Sequence, residues 1–136
     1  METCIIAIDP GREKCGLAVV DRHQGVREKK IIATQDLETA VKQLTESYAT
    51  YTVIIGDRTH SRALRKELQA VQVQGNTLTV IPVNEHRSSD EARTRYWQEH
   101  PPKGLKKFIP VTLQSPPVPI DDYVAVILAE RYYTSL

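Results

Sequence analysis

Cysteine is nearly absent from this chain: Cys4 and Cys15 are the two, with no CxxC spacing and no histidine beside them. They read as reduced, buried thiols on neighbouring strands of a cytoplasmic protein, not as a disulfide framework or a metal-binding pair. An excess of one charge is also missing, since 18 Lys and Arg against 17 Asp and Glu leave a formal net charge of +1. Any contact with nucleic acid must then rest on a local basic patch, because no bulk field steers it. No apolar run approaches the ~20 residues that span a bilayer, and the N-terminus has no signal-peptide pattern, so no membrane role is expected. Low-complexity tracts and internal repeats are lacking, and so is a Ser-His-Asp or Cys-His arrangement that would supply a side-chain nucleophile.

What is present is an ordinary globular composition, 40% hydrophobic and 26% charged over 136 residues. That length fits a single domain, 1–136, large enough to bury a proper core. The stretch Ile5-Ile6-Ala7-Ile8-Asp9-Pro10-Gly11 and the run Gly16-Leu17-Ala18-Val19-Val20 flank a Pro-Gly turn and read as a β-hairpin. Gly25 marks a second turn before a third strand over 26–34, giving an antiparallel meander. Asp36 is placed as the cap of a helix in which Leu37, Ala40, Val41 and Leu44 form one apolar face. Tyr51–Gly56 is continuously apolar, as a strand buried on both faces should be. A loop over 57–61 leads to a helix with Ala63, Leu64, Leu68 and Val71 inward, broken at Gly75-Asn76. Leu78–Val83 is the fifth strand. Ser88 or Ser89 is expected to cap a polar helix through Ala92, Tyr96 and Trp97. Residues 100–119 are rich in proline and lysine and predict an irregular arm. Asp121 or Asp122 is expected to cap a buried terminal helix. The class is α/β: a mixed five-stranded sheet, three antiparallel strands then two parallel, flanked by helices.

Acidic residues at element ends are the candidate chemistry. Asp9 ends the first strand, Glu85 follows the fifth, and Asp121-Asp122 open the last helix. The ends of neighbouring strands share one sheet edge, and Gly11 and Gly16 are expected to let the backbone approach a bound anion there. Carboxylates from three elements on one edge suit Mg²⁺ or Mn²⁺. Two such ions clamp the attacking and leaving oxygens of a phosphodiester displacement in which a metal-activated water is the nucleophile. From the residues alone a plainer reading also stands: Asp-Pro-Gly as turn chemistry, Glu85 as a rim carboxylate and Asp121 as a helix cap.

The order of motifs resembles the YqgF (RuvX-like) family of RNase H-like nucleases, described as Holliday junction resolvases and as pre-16S ribosomal RNA nucleases. Ile6–Gly11 with Gly16–Val19 looks like the family's opening strand, Asp-x-Gly turn and second strand. Val83-Asn84-Glu85-His86-Arg87-Ser88-Ser89 is similar to its Asp-Glu-Arg-Leu-Thr-Thr segment, and Ile120–Tyr132 to its closing Asp-Ser helix. The resemblance spans almost the whole chain. It implies an RNase H-like fold and a metal-dependent endonuclease using Asp9, Glu85 and Asp121 as catalytic metal ligands. Asp122 is the alternative, as a further ligand or as the cap. The substrate class it implies is structured nucleic acid, a four-way DNA junction or precursor ribosomal RNA. For a resolvase it also implies a homodimer, since nicking two strands needs two sites.

Arg12, Lys14, Arg58, Arg62, Arg87, Lys106 and Lys107 are the residues expected to track a phosphate backbone. Tyr96, Trp97 and Tyr123 are candidates for stacking on bases but fit a packing role better. His60 and His86 are loop histidines within reach of phosphate chemistry. The sequence departs from the family at Asn84, where an Asp is usual, and at His86, inserted before Arg87. The segment Gly56-Asp57-Arg58-Thr59-His60-Ser61 looks more like the corresponding loop of Tex-type proteins, so a divergent branch is implied. These departures support an alternative, a nuclease-like domain that binds nucleic acid or a protein partner without cleaving. The Asp-x-Gly opening is also shared with actin-like sugar kinases, but those enclose ATP between two such domains.

Overall fold

The computed structural model describes residues 3–58 and 61–136. Thr59 and His60, both named in the sequence reading of the strand-four loop, lie outside the described residues. The strands are β1 (Cys4–Asp9), β2 (Lys14–Asp21), β3 (Gly25–Ala33), β4 (Thr52–Gly56), β5 (Gln72–Val73), β6 (Asn76–Thr77) and β7 (Thr79–Val83). The helices are α1 (Leu37–Tyr48), α2 (Ser61–Gln69), α3 (Ser88–Glu99) and α4 (Asp121–Ser135). The main sheet has the order β3-β2-β1-β4-β7. β1 pairs antiparallel with β2 and parallel with β4, and β7 adds parallel to β4. The expected mixed five-stranded sheet is therefore present, and β1 lies at its centre.

Side chains alternate across the pleat and divide the core in two. Ile6, Ile8, Leu17, Val19, Val53 and Ile55 face α1 and Leu68 of α2. Ile5, Ala7, Ala18, Val20 and Ile54 face α3 and α4. Each large side chain buried this way contributes about 1.5–3 kcal/mol, so both layers hold the sheet strongly. α4 is apolar nearly all round because Tyr123 through Ala129 are all buried, Ala125, Leu128 and Ala129 completely. The sheet's edges are guarded by different means. β3 presents Arg27, Glu28, Lys29 and Lys30, and β7 contains Pro82, a residue that only an edge strand tolerates well. Among the described residues no helix is long and apolar enough to cross a membrane.

Several local expectations are corrected. The helix after β4 stops at Gln69, and the chain to Leu78 forms a small β5–β6 hairpin whose turn places Gln74 and Gly75 at positive φ. Val71 is thus buried from outside the helix, and Ala63 is exposed. Asp36 does stand at the N-cap position of α1, as expected, but its side chain makes no capping bond. Ser88 is already helical, the cap position being Arg87 in the left-handed region (φ 58). Likewise Ile120 precedes α4, so neither Asp121 nor Asp122 is its cap. The 100–119 segment does contain local order, two 3-10 turns at Gly104–Phe108 and Val111–Leu113.

The tightest constraint in the fold is at Gly16. It pairs with Asp9 in the β1–β2 ladder and lies on the α4 face, where a Cβ would overlap the backbone carbonyl of Asp121. Beside Gly11 a Cβ would overlap the Lys14 carbonyl. Both glycines make room for the protein's own backbone. At an unobstructed strand position Gly→Ala stabilises by roughly 0.5–1 kcal/mol. Here the sign inverts: Gly16→Ala is expected to lower stability by about 1–3 kcal/mol in urea denaturation, through overpacking against α4. An unchanged or raised midpoint would show that α4 does not close on β2 at this point.

Candidate active site

The strand ladder carries Asp9 to the α4 face, in step with Ile5 and Ala7. Its lateral neighbours are both glycine-based. Gly16 is opposite it on β2, and Gly56 ends β4 one residue beyond the Ile8–Ile55 pair. A Cβ at Gly56 would overlap the carboxylate of Glu85, as one at Gly16 would overlap Asp121. The two gaps let a second and a third acidic residue close in beside the first. The structure thus brings Asp9, Glu85 and Asp121 to one edge.

Each carboxylate is positioned by its own element. Glu85 follows β7 and is held by its backbone, its N–H donating to Asp57 Oδ1 (3.3 Å) and its carbonyl accepting from Ser88 N–H (2.9 Å). Asp57 is itself docked to β7, its N–H donating to Val83 O at 3.0 Å. Arg131 of α4 steadies the loop by donating to the carbonyls of Asn84 (2.8 Å) and His86 (2.7 Å). Thr34 fixes the turn after Asp9, donating from Oγ1 to Gly11 O (2.8 Å) and from its N–H to Glu13 O (2.9 Å). Gly56, Asp57, Thr34 and Arg131 are site-building residues that sequence reasoning did not single out. Only the Gly56-Asp57 pair at a strand end offered a signal.

A cleft of about 330 Å³ opens on this edge, lined by Asp9, Gly11, Arg12, Lys14, Arg58 and Asp121 among others. Burial pushes the Asp9 carboxyl up to about 7, assisted by the negative charges of Glu85 and Asp121, with Arg58 pulling the other way. Burial also raises Glu85, again opposed by Arg58. Arg58 Nε lies 3.0 Å from Glu85 Oε2, and Lys14 Nζ lies 3.5 Å from Asp121 Oδ2. The Glu85 carboxylate oxygens and Asp121 Oδ2 are buried: Glu85 is engaged by Arg58 and Asp9, and Asp121 Oδ2 has only the Lys14 ion pair.

In chemical type, carboxylates alone are the oxygen donors that a hard divalent cation such as Mg²⁺ or Mn²⁺ takes. Among the described residues no group of three or more His, Cys, Asp or Glu side chains is arranged so that it could hold a metal ion.

The remaining named residues divide by position. Asp122 does not line this cleft; its Oδ2 pairs with Lys29 Nζ of β3 at 2.9 Å, and Lys29 also lies over the Tyr123 ring. Arg12, Lys14 and Arg58 border the carboxylates. Arg62 is exposed on α2, and Lys106 and Lys107 are exposed on the arm. Arg87 lines a different cleft, between α3 and α4, with Glu91, Arg95 and Glu130. Tyr96 and Tyr123 are buried and stack edge-on in the core, so they take the packing role.

This three-layer arrangement, with an antiparallel meander followed by parallel crossovers, is the RNase H-like fold. Among solved structures, RuvC of Thermus thermophilus has it. RuvC in complex with a Holliday junction substrate aligns over 97% of this chain and 94% of its own, with a TM-score of 0.62 and 16% identity. A second Thermus thermophilus RuvC structure aligns over 97% and 95%, with a TM-score of 0.53 and 11% identity. No family model matches the chain. No curated protein matches it by sequence.

The electrostatics carry a testable consequence without any ion. A carboxyl at about 7 when folded and 3.8 when unfolded keeps a proton that the unfolded chain releases. Stability should therefore fall as pH rises from about 4 to 7, and the penalty is complete above that window. In chelator, Asp9→Asn is expected to gain about 1–3 kcal/mol at pH 8, with the gain vanishing toward pH 4. Equal destabilisation by the mutation at both pH values, read from thermal melts, would contradict a penalty on the charged Asp9 from burial and its acidic neighbours.

Proposed function

We propose that this protein is a metal-dependent endonuclease that hydrolyses phosphodiester bonds in structured nucleic acid. The observation that carries the reading is the convergence of Asp9, Glu85 and Asp121 on one edge of an RNase H-like sheet, with flanking glycines making the approach sterically feasible. Asp9, Glu85 and Asp121 are the residues that would hold Mg²⁺ or Mn²⁺. When bound, the metal supplies positive charge to the scissile phosphate and lowers the pKa of the attacking water. Arg58 and Lys14 pair with Glu85 and Asp121, and with Arg12 beside them at the cleft these cations would hold the phosphate backbone. Asp9 is half-buried at the end of β1 and lines the cleft, where it would meet the ion and the phosphate.

The likeness to RuvC, one of whose structures holds a Holliday junction, supports a branched DNA substrate. Structured RNA, including precursor ribosomal RNA, is the alternative that the YqgF resemblance carries. A homodimer would follow for the junction, where two strands are cut.

A second reading has its own support. Asn84 contributes no charge, and two of the three carboxylates already have basic partners, as in a domain that binds without cleaving. A cleavage assay with Mg²⁺ or Mn²⁺ on a four-way DNA junction and on a structured RNA separates the two. The nuclease reading expects metal-dependent products from one of them, lost by at least a hundredfold in Asp9→Asn. Binding without products, in folded wild-type protein, would favour the non-catalytic domain.

A further inference from the structure

The arm between α3 and α4 is not used by the chemistry above; it follows Glu99, the end of α3, and leads directly into α4, which starts at Asp121. The two roots are tied together, with Tyr123 OH donating to Glu99 Oε1 (3.2 Å) and Tyr96 stacking edge-on against Tyr123. The arm therefore rises from the rim that bears Asp121.

Its shape is held, not loose. Gln114 Nε2 donates to the carbonyls of Lys106 and Ile109, both at 2.9 Å, closing one 3-10 turn against the next. Val111 and Thr112 face Trp97 and Arg93 of α3 across a shared crevice. Prolines 101, 102, 110, 116, 117 and 119 reduce what ordering costs.

On this held scaffold the chain presents large apolar side chains to solvent: Leu105 is 84% exposed, Leu113 76% and Phe108 75%. Leu105 and Phe108 share one short turn with Lys106 and Lys107, and Lys107 Nζ lies 5.2 Å from the centre of the Phe108 ring. From His100 to Ile120 there are three lysines and no acidic residue, in a chain otherwise balanced in charge. An aromatic ring between cations, with no anion nearby, complements a polyanion that also offers stacking faces.

We propose that this arm is a nucleic-acid clamp selective for unpaired bases. Phe108 stacks on a base outside a continuous helix, Leu105 and Leu113 wedge beside it, and Lys106 and Lys107 hold the adjacent phosphates. It rests on the reading of the edge as a nucleic-acid site and narrows the substrate to strands with unstacked bases, as at a branch point or loop.

The test is fluorescence anisotropy in chelator, with no cleavage, on a single-stranded oligonucleotide, the same sequence as a continuous duplex, and a four-way junction. The wild type should favour the single strand and the junction over the duplex. Phe108→Ala should weaken single-strand binding about tenfold while leaving duplex binding unchanged, and Phe108→Tyr should retain the preference. Lys106→Glu with Lys107→Glu should weaken all three, with a shallower salt dependence. Unchanged single-strand affinity in Phe108→Ala, or an equal loss on duplex, would overturn the clamp. Absence of nucleic-acid binding would do the same and turn the exposed apolar residues toward a protein partner. Because no cleavage is scored, a Phe108-dependent preference in a protein that never cuts would sink the nuclease and leave the clamp standing.

Discussion

Two missing side chains govern the site. Asp9 stands on the central strand with Gly16 beside it on β2 and Gly56 beside it on β4. A methyl group at either position would occupy space now filled by the Asp121 backbone or the Glu85 carboxylate. Sheet, last helix and post-β7 loop can converge on one edge only because those gaps exist. The small residues Ala7 and Ala18 continue the same device one layer further in, where α4 lies along the sheet.

The convergence works against stability. Burying carboxylates beside one another raises Asp9 and Glu85, and buries oxygens on Glu85 and Asp121 that water would otherwise satisfy. A fold built for stability alone would place apolar groups there. Arg58 and Lys14 offset part of the repulsion from the solvent side, and their partial exposure leaves them able to move. Carboxylates kept together at a rigid strand end at a cost in stability mark this edge as a functional-site candidate.

Much of the architecture was legible in the residues because the opening strands alternate cleanly and β4 is apolar throughout. Asp9, Glu85 and the Asp121-Asp122 pair stood out because each ends or begins an element, and the preference for Asp121 over Asp122 came from the family resemblance. Legibility failed where local chemistry and tertiary packing part company. Ser88, Asp121 and Asp122 are good capping residues that the helices absorb into their first turns. At Gly11 and Gly16 the absent Cβ makes room for the protein's own backbone, a packing demand that only the folded structure reveals. Asp121 and Asp122 are adjacent in sequence, yet a helix directs successive side chains about 100° apart, sending one to the cleft and the other to Lys29. The role of Asp57 depends on β4 and β7 lying side by side, which no local pattern encodes.

Isothermal titration of Mn²⁺ into the folded protein and into Asp9→Asn, Asp121→Asn and Asp122→Asn tests the central claim most directly. The account predicts that the wild type and Asp122→Asn bind the ion alike, while Asp9→Asn and Asp121→Asn lose at least tenfold in affinity. Equal binding by the wild type and Asp9→Asn, or a loss confined to Asp122→Asn, would contradict it.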